Sequence, residues 1–155
     1  EIYRCDWSSD VCSSDLLTIF GGNKSDCEKA FDILKSSNVT INYENVIITD
    51  IVTASVFKYA VNSFLSMKVV FANQLNNYCK TIDGDWNLLK SMLQLEPRLG
   101  KTHWDVPGHD GKYGYGGACF PKDVSALIAS ADVNGSEFSL LEKVKSINEK
   151  MRSEF

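Results

Sequence analysis

The chain has 155 residues, of which 44% are hydrophobic and 23% charged, and its formal net charge is −4. This composition is typical of a globular protein, and the acidic balance argues against a general nucleic-acid surface, which requires a basic face. Since no run approaches the roughly 20 apolar residues of a membrane span, and no signal-peptide pattern is present, we expect a cytoplasmic protein.

The leader EIYRCDWSSDVCSSDL shows neither a helical nor a strand period. The triplet Ser-Ser-Asp occurs twice in it, and the run from Asp10 to Leu16 resembles the translated end of a sequencing adapter. We therefore predict that residues 1–16 are non-native and without function. A polar disordered tail is the alternative.

Residues 17–50 contain a predicted strand, a helix and a second strand. An apolar run that ends in two glycines predicts the first strand, and a helix is predicted over residues 25–36 with Ser25 as its N-cap. The second strand contains residues 46–48. This order is typical of the closing piece of a parallel α/β, Rossmann-like domain. The glycine fingerprint GxGxxG that opens such a domain does not occur in the sequence.

A long helix is predicted from Asp50 to about Ile82, because neither proline nor glycine interrupts the pattern and Asp50 or Thr53 could cap its start. It would extend about 45–50 Å, which is longer than one compact core needs. Its apolar residues cover more than one face, so each face must be buried, inside the subunit or against another chain. The main apolar stripe consists of Phe57, Val61, Phe64, Phe71, Leu75, Tyr78 and Ile82, with a gap at Lys68.

A thin polar stripe runs along the same helix and consists of Ser55, Lys58, Asn62, Ser66 and Asn73. Lys58 and Asn62 are one turn apart and therefore project toward the same place. A lysine in an apolar helix must find a partner or reach around the helix edge to water, because burial of an unpaired ammonium is costly. Periodicity alone leaves both alternatives open.

Shorter helices follow the long one. Asp85 is predicted to cap a helix over residues 86–95, and a loop rich in glycine, histidine and aspartate covers residues 100–117. Two helices, over about 122–131 and 137–151, close the chain. The predicted fold class is therefore mostly α, with a long central helix and shorter helices packed on it, preceded by the strand–helix–strand segment.

The run from Gly114 to Asp123, GYGGACFPKD, places a single cysteine between a glycine-rich approach and a helix start. Glycine lets the backbone approach a ligand closely, and Pro121 suits the first turn of a helix. Cys119 would then lie among free backbone N–H groups at the positive end of the helix dipole, with Lys122 nearby, and these surroundings favour a thiolate. The alternative is a buried structural cysteine.

The other cysteines and the histidines carry no predicted site. The five cysteines and two histidines have no zinc-ligand spacing, so no metal is expected. Cys27 and Cys79 fall on amphipathic helical stretches, where packing as small hydrophobes is expected. His103 and His109 fall in the polar loop, and we expect both to be solvated surface residues.

Residues 113–123 resemble the active-site cysteine motif of the UDP-glucose/GDP-mannose dehydrogenase family, the nucleotide-sugar 6-dehydrogenases. Further blocks resemble this family in the same order, and they are residues 57–65, 97–100, and 139–142 with 147–149. Together the blocks cover the chain from about Leu17 to its end. The resemblance implies that residues 17–50 close an NAD-binding domain and that residues 51–133 form a central helical domain with the catalytic cysteine. Residues 134–155 would lead toward a C-terminal nucleotide-binding domain.

The resemblance also implies a reaction. A member of this family would oxidise the primary alcohol of UDP-glucose to a carboxylate in two steps, reducing two NAD+ and giving UDP-glucuronate for polysaccharide synthesis. Cys119 would attack the intermediate aldehyde to form a thiohemiacetal, whose oxidation gives a thioester. Lys58 and Asn62 would hold the C6 oxygen, with Lys58 and bound water as candidate bases. Asp123 would orient the water that hydrolyses the thioester.

Binding residues follow from the same resemblance. Arg98 would contact the substrate, in some relatives across a subunit interface, and a solvated arginine after a helix end is the alternative. The sugar-nucleotide site would be lined by Lys112, Tyr113, Gly114, Tyr115 and Gly116. Lys122 would face the NAD cofactor. The long helix would join copies into a homodimer or a larger homo-oligomer, with neither nucleic acid nor membrane as a partner.

The chain departs from the family pattern on the long helix, where Ser55 and Gln74 stand in place of the usual glutamates. These departures change the local hydrogen bonds and leave the nucleophile in place. Because most of the cofactor domain and the C-terminal domain are missing, we expect the isolated chain to turn over little. The alternatives are a relative that acts on GDP-mannose or a UDP-N-acetylhexosamine, and a catalytically inert helical dimerisation module.

Overall fold

A computed structural model describes residues 2–4, 17–37 and 43–154 of the chain. Its elements, in chain order, are β1 (Ile2–Arg4), β2 (Thr18–Gly21), α1 (Lys24–Ser36), β3 (Val46–Thr49), α2 (Ile51–Thr81), α3 (Trp86–Leu95), α4 (Cys119–Val133) and α5 (Ser139–Glu154). The fold is mostly helical, with one long helix preceded by a strand–helix–strand segment, as the sequence predicts. The chain divides into two compact units, Glu1–Lys58 and Tyr59–Phe155.

The first unit contains a three-stranded sheet in the order β1-β2-β3. β2 and β3 are parallel, with Ile19 opposite Ile47, and the connecting helix α1 contacts β3. This is the predicted strand–helix–strand segment. β1 runs antiparallel to β2, with Tyr3 opposite Ile19. The sequence does not predict this third strand, because residues 1–16 show no strand period.

The helix caps differ from the prediction at one of three positions. Asn23, rather than Ser25, caps α1, because the Asn23 Oδ1 accepts a hydrogen bond from the Ser25 backbone N–H at 2.9 Å and Ser25 already lies inside the first turn. Asp50 begins α2 by accepting bonds from the Thr53 backbone N–H and hydroxyl, at 2.9 and 2.7 Å. These bonds hold the pKa of Asp50 below its ordinary value. Asp85 caps α3, as predicted, by accepting from the backbone of Leu88.

The core of the second unit lies where α2, α4 and α5 meet. Its buried residues are Val70, Tyr115, Val124 and Val144, and Phe120, Ile128 and Ile147 pack against them. The last two helices are longer than predicted, since α4 begins at Cys119 rather than near 122 and α5 ends at Glu154 rather than near 151. The earlier start of α4 puts the cysteine on the first helical residue instead of in the preceding loop.

Helix α2 buries three residues of its polar stripe, Asn62, Ser66 and Asn73, and exposes part of its apolar stripe. Asn62 and Ser66 are 0% exposed, whereas Phe64 is 60% and Phe71 53% exposed. Tyr78, seven residues beyond Phe71, is 59% exposed, and a seven-residue spacing keeps all three rings on one side of a helix. The prediction that these rings are buried inside the subunit is therefore wrong. Their burial against another chain stays a prediction. Among the described residues, no helix combines the length and apolar character needed to cross a membrane.

Candidate active site

Cys119 is the first residue of α4, and its side chain is exposed. The two residues before it prepare this position. Gly117 has φ +73°, a conformation that side chains rarely adopt, and Ala118 occupies the N-cap position without a side-chain acceptor. No side chain therefore caps the N-terminus of α4. The positive end of the helix dipole is left to act on the thiol and on any ligand beside it.

Asn62 and Asp123 form a buried pair that joins α2 to α4. Asn62 is 0% and Asp123 1% exposed, and the Asn62 Nδ2 donates a short hydrogen bond to the Asp123 Oδ2. Asp123 is one helical turn after Cys119, so the pair lies beneath the thiol end of the helix. The structure thus brings together Asn62 and Asp123, two of the four residues predicted to be catalytic.

The buried pair has hydrogen-bonding capacity left. Neither the Asn62 Oδ1 nor the Asp123 Oδ1 receives a hydrogen bond from any described residue. The Asp123 Oδ1 does lie 3.3 Å from the Lys122 Nζ, an ion-pair distance. Asp123 is the main cause that raises the pKa of Lys122, and Cys119 and Tyr59 contribute further. Buried acceptors are usually paired, so these oxygens mark a place where a donor from water or substrate can bind.

The glycine-rich loop before Cys119 is held by two buried amides. Gly114 donates its backbone N–H to the Asn73 Oδ1 at 3.1 Å. Asn148 binds both backbone groups of Tyr115, since its Oδ1 accepts from the N–H at 2.7 Å and its Nδ2 donates to the carbonyl at 3.1 Å. Gly114 has φ +73°, and a Cβ there would collide with the Asn148 amide, so both the backbone conformation and the space require glycine.

Sequence analysis gave no role to Asn148, although a signal for one was present. Asn148 occupies the buried face of α5, between Val144 and Met151 along the helix, where an amphipathic pattern would place an apolar residue. An amide at such a position must find partners, because an unpaired buried amide is costly. The identity of those partners, on a loop far away in sequence, could not be predicted.

Aromatic contacts connect this loop to the cysteine helix. The rings of Tyr115 and Phe120 meet edge to face, with centroids 6.2 Å apart. Burial, with a smaller contribution from Glu149, raises the pKa of Tyr115 to about 12, so its phenol stays protonated at neutral pH. The His103 ring also contacts Phe120, at 5.7 Å between ring centroids. The residue after the cysteine therefore contacts two rings.

The predicted surface position of His103 is wrong. His103 is half-buried with φ +67°, and burial, followed by the charge of Lys68, holds its pKa below the ordinary value. Its ring packs against Phe120, a contact with a distant residue that composition could not predict. His109 is exposed, as predicted.

The remaining predicted site residues lie at the surface or in the other unit. Arg98 is 85% exposed and binds Glu96 through two of its nitrogens, at 2.7 and 3.1 Å. Lys112 is exposed, and its backbone N–H donates to the Asp110 side chain at 3.1 Å. Lys58 is the last residue of the first unit, one turn before Asn62 on α2.

Two further predicted residues contact charged side chains of the second unit. The ring of Tyr113 lies 5.6 Å from the Lys80 ammonium. Gly116 lies against the Arg152 guanidinium, which binds the Asp110 carboxylate at 2.7 Å. Residues 112–116 thus form a loop that helices α2 and α5 hold from both sides.

Comparison with protein families gives a match over most of the chain. The model of the "UDP-glucose/GDP-mannose dehydrogenase family, central domain" matches residues 52–150. This range contains Cys119, the buried Asn62–Asp123 pair and the glycine-rich loop.

Individual relatives agree with this match. The UDP-glucose 6-dehydrogenase of Rickettsia bellii is 34% identical over 137 residues, which are 87% of this chain and 30% of that protein. UDP-glucose 6-dehydrogenase TuaD of Bacillus subtilis is 36% identical over 107 residues, which are 69% of this chain and 22% of that protein. The solved structure of a UDP-glucose dehydrogenase from the hyperthermophilic archaeon Pyrobaculum islandicum resembles this fold with a TM-score of 0.72 at 27% identity. It covers 86% of this chain, which spans 29% of that structure's chain.

Proposed function

The chain belongs to the UDP-glucose/GDP-mannose dehydrogenase family, and on that premise we propose that it is the central catalytic part of a cytoplasmic, NAD-dependent enzyme that oxidises UDP-glucose to UDP-glucuronate. One observation carries the proposal most directly. An exposed cysteine at an uncapped helix start has a buried carboxylate–amide pair one turn below it, and two oxygens of that pair accept no hydrogen bond from the described residues. The chain spans 30% and 22% of the two relatives described above, so the activity is proposed for a longer protein.

In the proposed reaction Cys119 is the nucleophile. The first oxidation removes a proton and a hydride from the primary alcohol and leaves an aldehyde. The Cys119 thiolate adds to the aldehyde carbon, and the oxygen takes up a proton to give a thiohemiacetal. Loss of that proton and of a second hydride converts the thiohemiacetal into a thioester. Water then adds to the thioester carbon, the thiolate leaves, and a carboxylate is released. NAD+ supplies the hydride acceptor for both oxidations.

The neighbours of Cys119 would stabilise charge and position water. The Asn62 amide, held in place by Asp123, would contact the C6 oxygen, where negative charge develops when the thiolate adds. Lys58, one turn earlier on α2, would supply a cation to the same oxygen. The Asp123 Oδ1, which also lies 3.3 Å from the Lys122 ammonium, would accept a hydrogen bond from the attacking water and remove its proton.

Substrate binding would use the loop of residues 112–116 and Arg98. The loop backbone is fixed by Asn73 and Asn148 before any ligand binds, which lowers the entropic cost of binding. Arg98 is exposed and always charged, so it suits a phosphate oxygen of a nucleotide sugar, although such a phosphate must compete with Glu96.

The described part of the chain would contribute little to NAD binding. Dinucleotide phosphates bind at open helix starts after parallel strands. The helix between the parallel strands here, α1, is capped by its own Asn23 and so does not offer its first N–H groups to a phosphate. We therefore assign only Lys122 to the cofactor side and expect the pyrophosphate cradle in residues outside this chain.

Turnover by the full-length enzyme tests the proposed function. We expect two NADH for each UDP-glucuronate formed from UDP-glucose, and little turnover with GDP-mannose or UDP-N-acetylglucosamine. The isolated chain serves as the negative control, since it lacks most of the cofactor site. NADH formation faster with either of the other two sugars would move the assignment to a relative, and no NADH with any of them would reject it.

We also propose that the exposed stripe of α2 joins two copies of the enzyme. Phe64, Phe71 and Tyr78 are each more than half exposed on one side of the helix. Helix α3, the next helix in the chain, also exposes apolar residues, and Leu88, Met92 and Leu95 are 60%, 59% and 80% exposed. An exposed apolar stripe of this length is typical of a protein–protein interface.

Replacing one ring of this stripe by a charge should weaken the dimer. In Phe71→Asp a carboxylate replaces an aromatic ring at the middle of the stripe, and we expect the dimer dissociation constant to rise by about 100-fold, as for loss of an interface hot spot. Analytical ultracentrifugation of the full-length enzyme measures this constant. Asn77→Asp, which adds the same charge at an exposed polar position of α2, is the matched control. An unchanged constant in Phe71→Asp would show that the stripe does not join the copies.

A further inference from the structure

Lys68 lies in the middle of α2, but only 9% of it is exposed. It occupies the gap in the apolar stripe, between Phe64 and Phe71, where the helical period calls for an apolar residue. A buried ammonium requires partners, because the loss of its hydration is costly. Among the described residues, the partners of its ammonium lie in the segment that follows α3.

The Lys68 ammonium is held by two carbonyls and one ring. Its Nζ donates to the Leu99 carbonyl at 2.9 Å and to the Gly100 carbonyl at 3.2 Å. It also lies 4.4 Å from the centre of the Trp104 ring, within the range of a cation–π contact. Burial lowers the pKa of Lys68 from its ordinary value.

The Trp104 indole shares one of the two carbonyls that bind the Lys68 ammonium. Trp104 is 2% exposed, and its Nε1 donates to the Gly100 carbonyl at 2.9 Å. That single carbonyl therefore accepts from both Lys68 and Trp104. Gly100 has φ +69°, a left-handed conformation that favours glycine, at the point where the backbone presents its carbonyl to the ammonium. Three residues of the turn over residues 96–104 therefore contact the Lys68 ammonium: Leu99, Gly100 and Trp104.

Arg98 lies within this turn. The Leu99 backbone N–H donates to the Glu96 carbonyl at 3.0 Å, and the carbonyls of Leu99 and Gly100 accept from Lys68. The backbone on both sides of Arg98 is thereby fixed. The guanidinium itself contacts Glu96 within the same turn, so its position follows the backbone.

We propose that Lys68 is a positioning residue that holds the turn of residues 96–104 so that Arg98 faces the phosphates of a nucleotide sugar. The inference rests on the proposed function, since it assigns to Arg98 a phosphate partner. Lys68 acts on substrate binding through the backbone and does not touch the reacting carbon. Its loss should therefore raise KM and leave kcat nearly unchanged.

The test uses the full-length enzyme with Lys68→Met, which keeps an unbranched side chain of similar length without its donors. We expect the KM for UDP-glucose to rise about tenfold, with kcat within about threefold of the wild type. Amide hydrogen exchange within residues 96–104 should become faster. Lys68→Arg, which retains several donors and a charge, should recover most of the KM, and Lys143→Met, at an exposed position of α5, should change neither quantity.

A double-mutant cycle with Arg98→Ala separates positioning from a general structural effect. If Lys68 acts through Arg98, Lys68→Met should raise KM much less in the Arg98→Ala background. If Lys68→Met fails to fold, Trp104→Phe takes its place, because this change removes one donor from the Gly100 carbonyl and keeps an aromatic ring. The expected rise in KM is then about threefold.

Three results would overturn the proposal: unchanged exchange in residues 96–104 for the substituted enzyme, faster exchange with unchanged KM, or an equal KM effect with and without Arg98. Failure of the proposed function is a different result, in which the wild-type enzyme reduces no NAD+ with UDP-glucose. In that case, slower exchange in the wild type than in Lys68→Met would still support the contact between Lys68 and the turn. The absence of NAD+ reduction would overturn the proposed role of Lys68 in binding the sugar nucleotide.

Discussion

Replacing Cys119 by serine in the full-length enzyme is expected to lower the rate of UDP-glucuronate formation by at least about 10³-fold, the scale seen when a catalytic nucleophile is removed. A serine hydroxyl stays protonated at neutral pH and is a weaker nucleophile than a thiolate, so the aldehyde is not captured. The side chain is exposed, and such a change should alter the free energy of unfolding by less than about 0.5 kcal/mol.

Cys79→Ala is the matched control for this substitution. Cys79 is buried on α2, so its truncation should lower the free energy of unfolding by about 1 kcal/mol while leaving kcat unchanged. The two cysteines should thus show opposite patterns of activity loss and stability loss. Product formation is measured by chromatography of the nucleotide sugars, and unfolding by urea titration. A Cys119→Ser enzyme that still makes UDP-glucuronate at the wild-type rate would remove the nucleophile from the mechanism.

Alkylation distinguishes a reactive thiol from the inert dimerisation module. In a chain that keeps Cys119 as its single cysteine, with serine at the other four positions, iodoacetamide should react faster at pH 7 than with free cysteine. We expect this because Cys119 is exposed and is the first residue of a helix whose start no side chain caps. A rate no faster than that of free cysteine would favour the inert module.

Local sequence patterns were sufficient to predict where a helix begins when a single capping residue determines its start. Asp85 predicted the start of α3, and the uninterrupted run after Asp50 predicted the long helix to within one residue at each end. In both cases the capping residue and the first residues of the helical pattern are neighbours in the sequence. No contact with a distant segment is therefore needed to set the residue at which the helix begins. The start of α4 was predicted three residues late, because Pro121 is tolerated anywhere in a first turn and does not mark its first residue.

Contacts between distant segments could not be predicted. Periodicity placed Lys68 on the face of the apolar stripe, and yet it could not predict that two carbonyls of the turn after α3 would receive its ammonium. The same holds for Asn148 and the Tyr115 backbone. For the candidate site, the sequence identified the residue types, while the buried Asn62–Asp123 contact depends on how α2 packs against α4.

Replacing Asp123 by asparagine is expected to slow the last chemical step by about 10²–10⁴-fold, the usual contribution of a positioned base. An amide cannot take a proton from water, so the thioester on Cys119 should accumulate after both oxidations. Rapid acid quench followed by mass spectrometry would detect the added UDP-glucuronyl mass on the peptide that contains Cys119. NADH formation by Asp123→Asn should then show a burst followed by a slow phase limited by hydrolysis of the thioester.

Stability measurements separate this catalytic role from a structural one. Asn62 can still donate to an amide oxygen at position 123, so Asp123→Asn keeps the buried hydrogen bond and loses the ion pair with the exposed Lys122, which water screens, and we expect little loss of stability. Asp123→Ala leaves the Asn62 amide without a buried partner and should cost about 1–3 kcal/mol. Asp132→Asn, at an exposed position of the same helix, is the control and should change neither property. If Asp123→Asn lowers stability as much as Asp123→Ala and no thioester accumulates, the carboxylate serves the packing of α2 on α4, and the hydrolytic base must be another group.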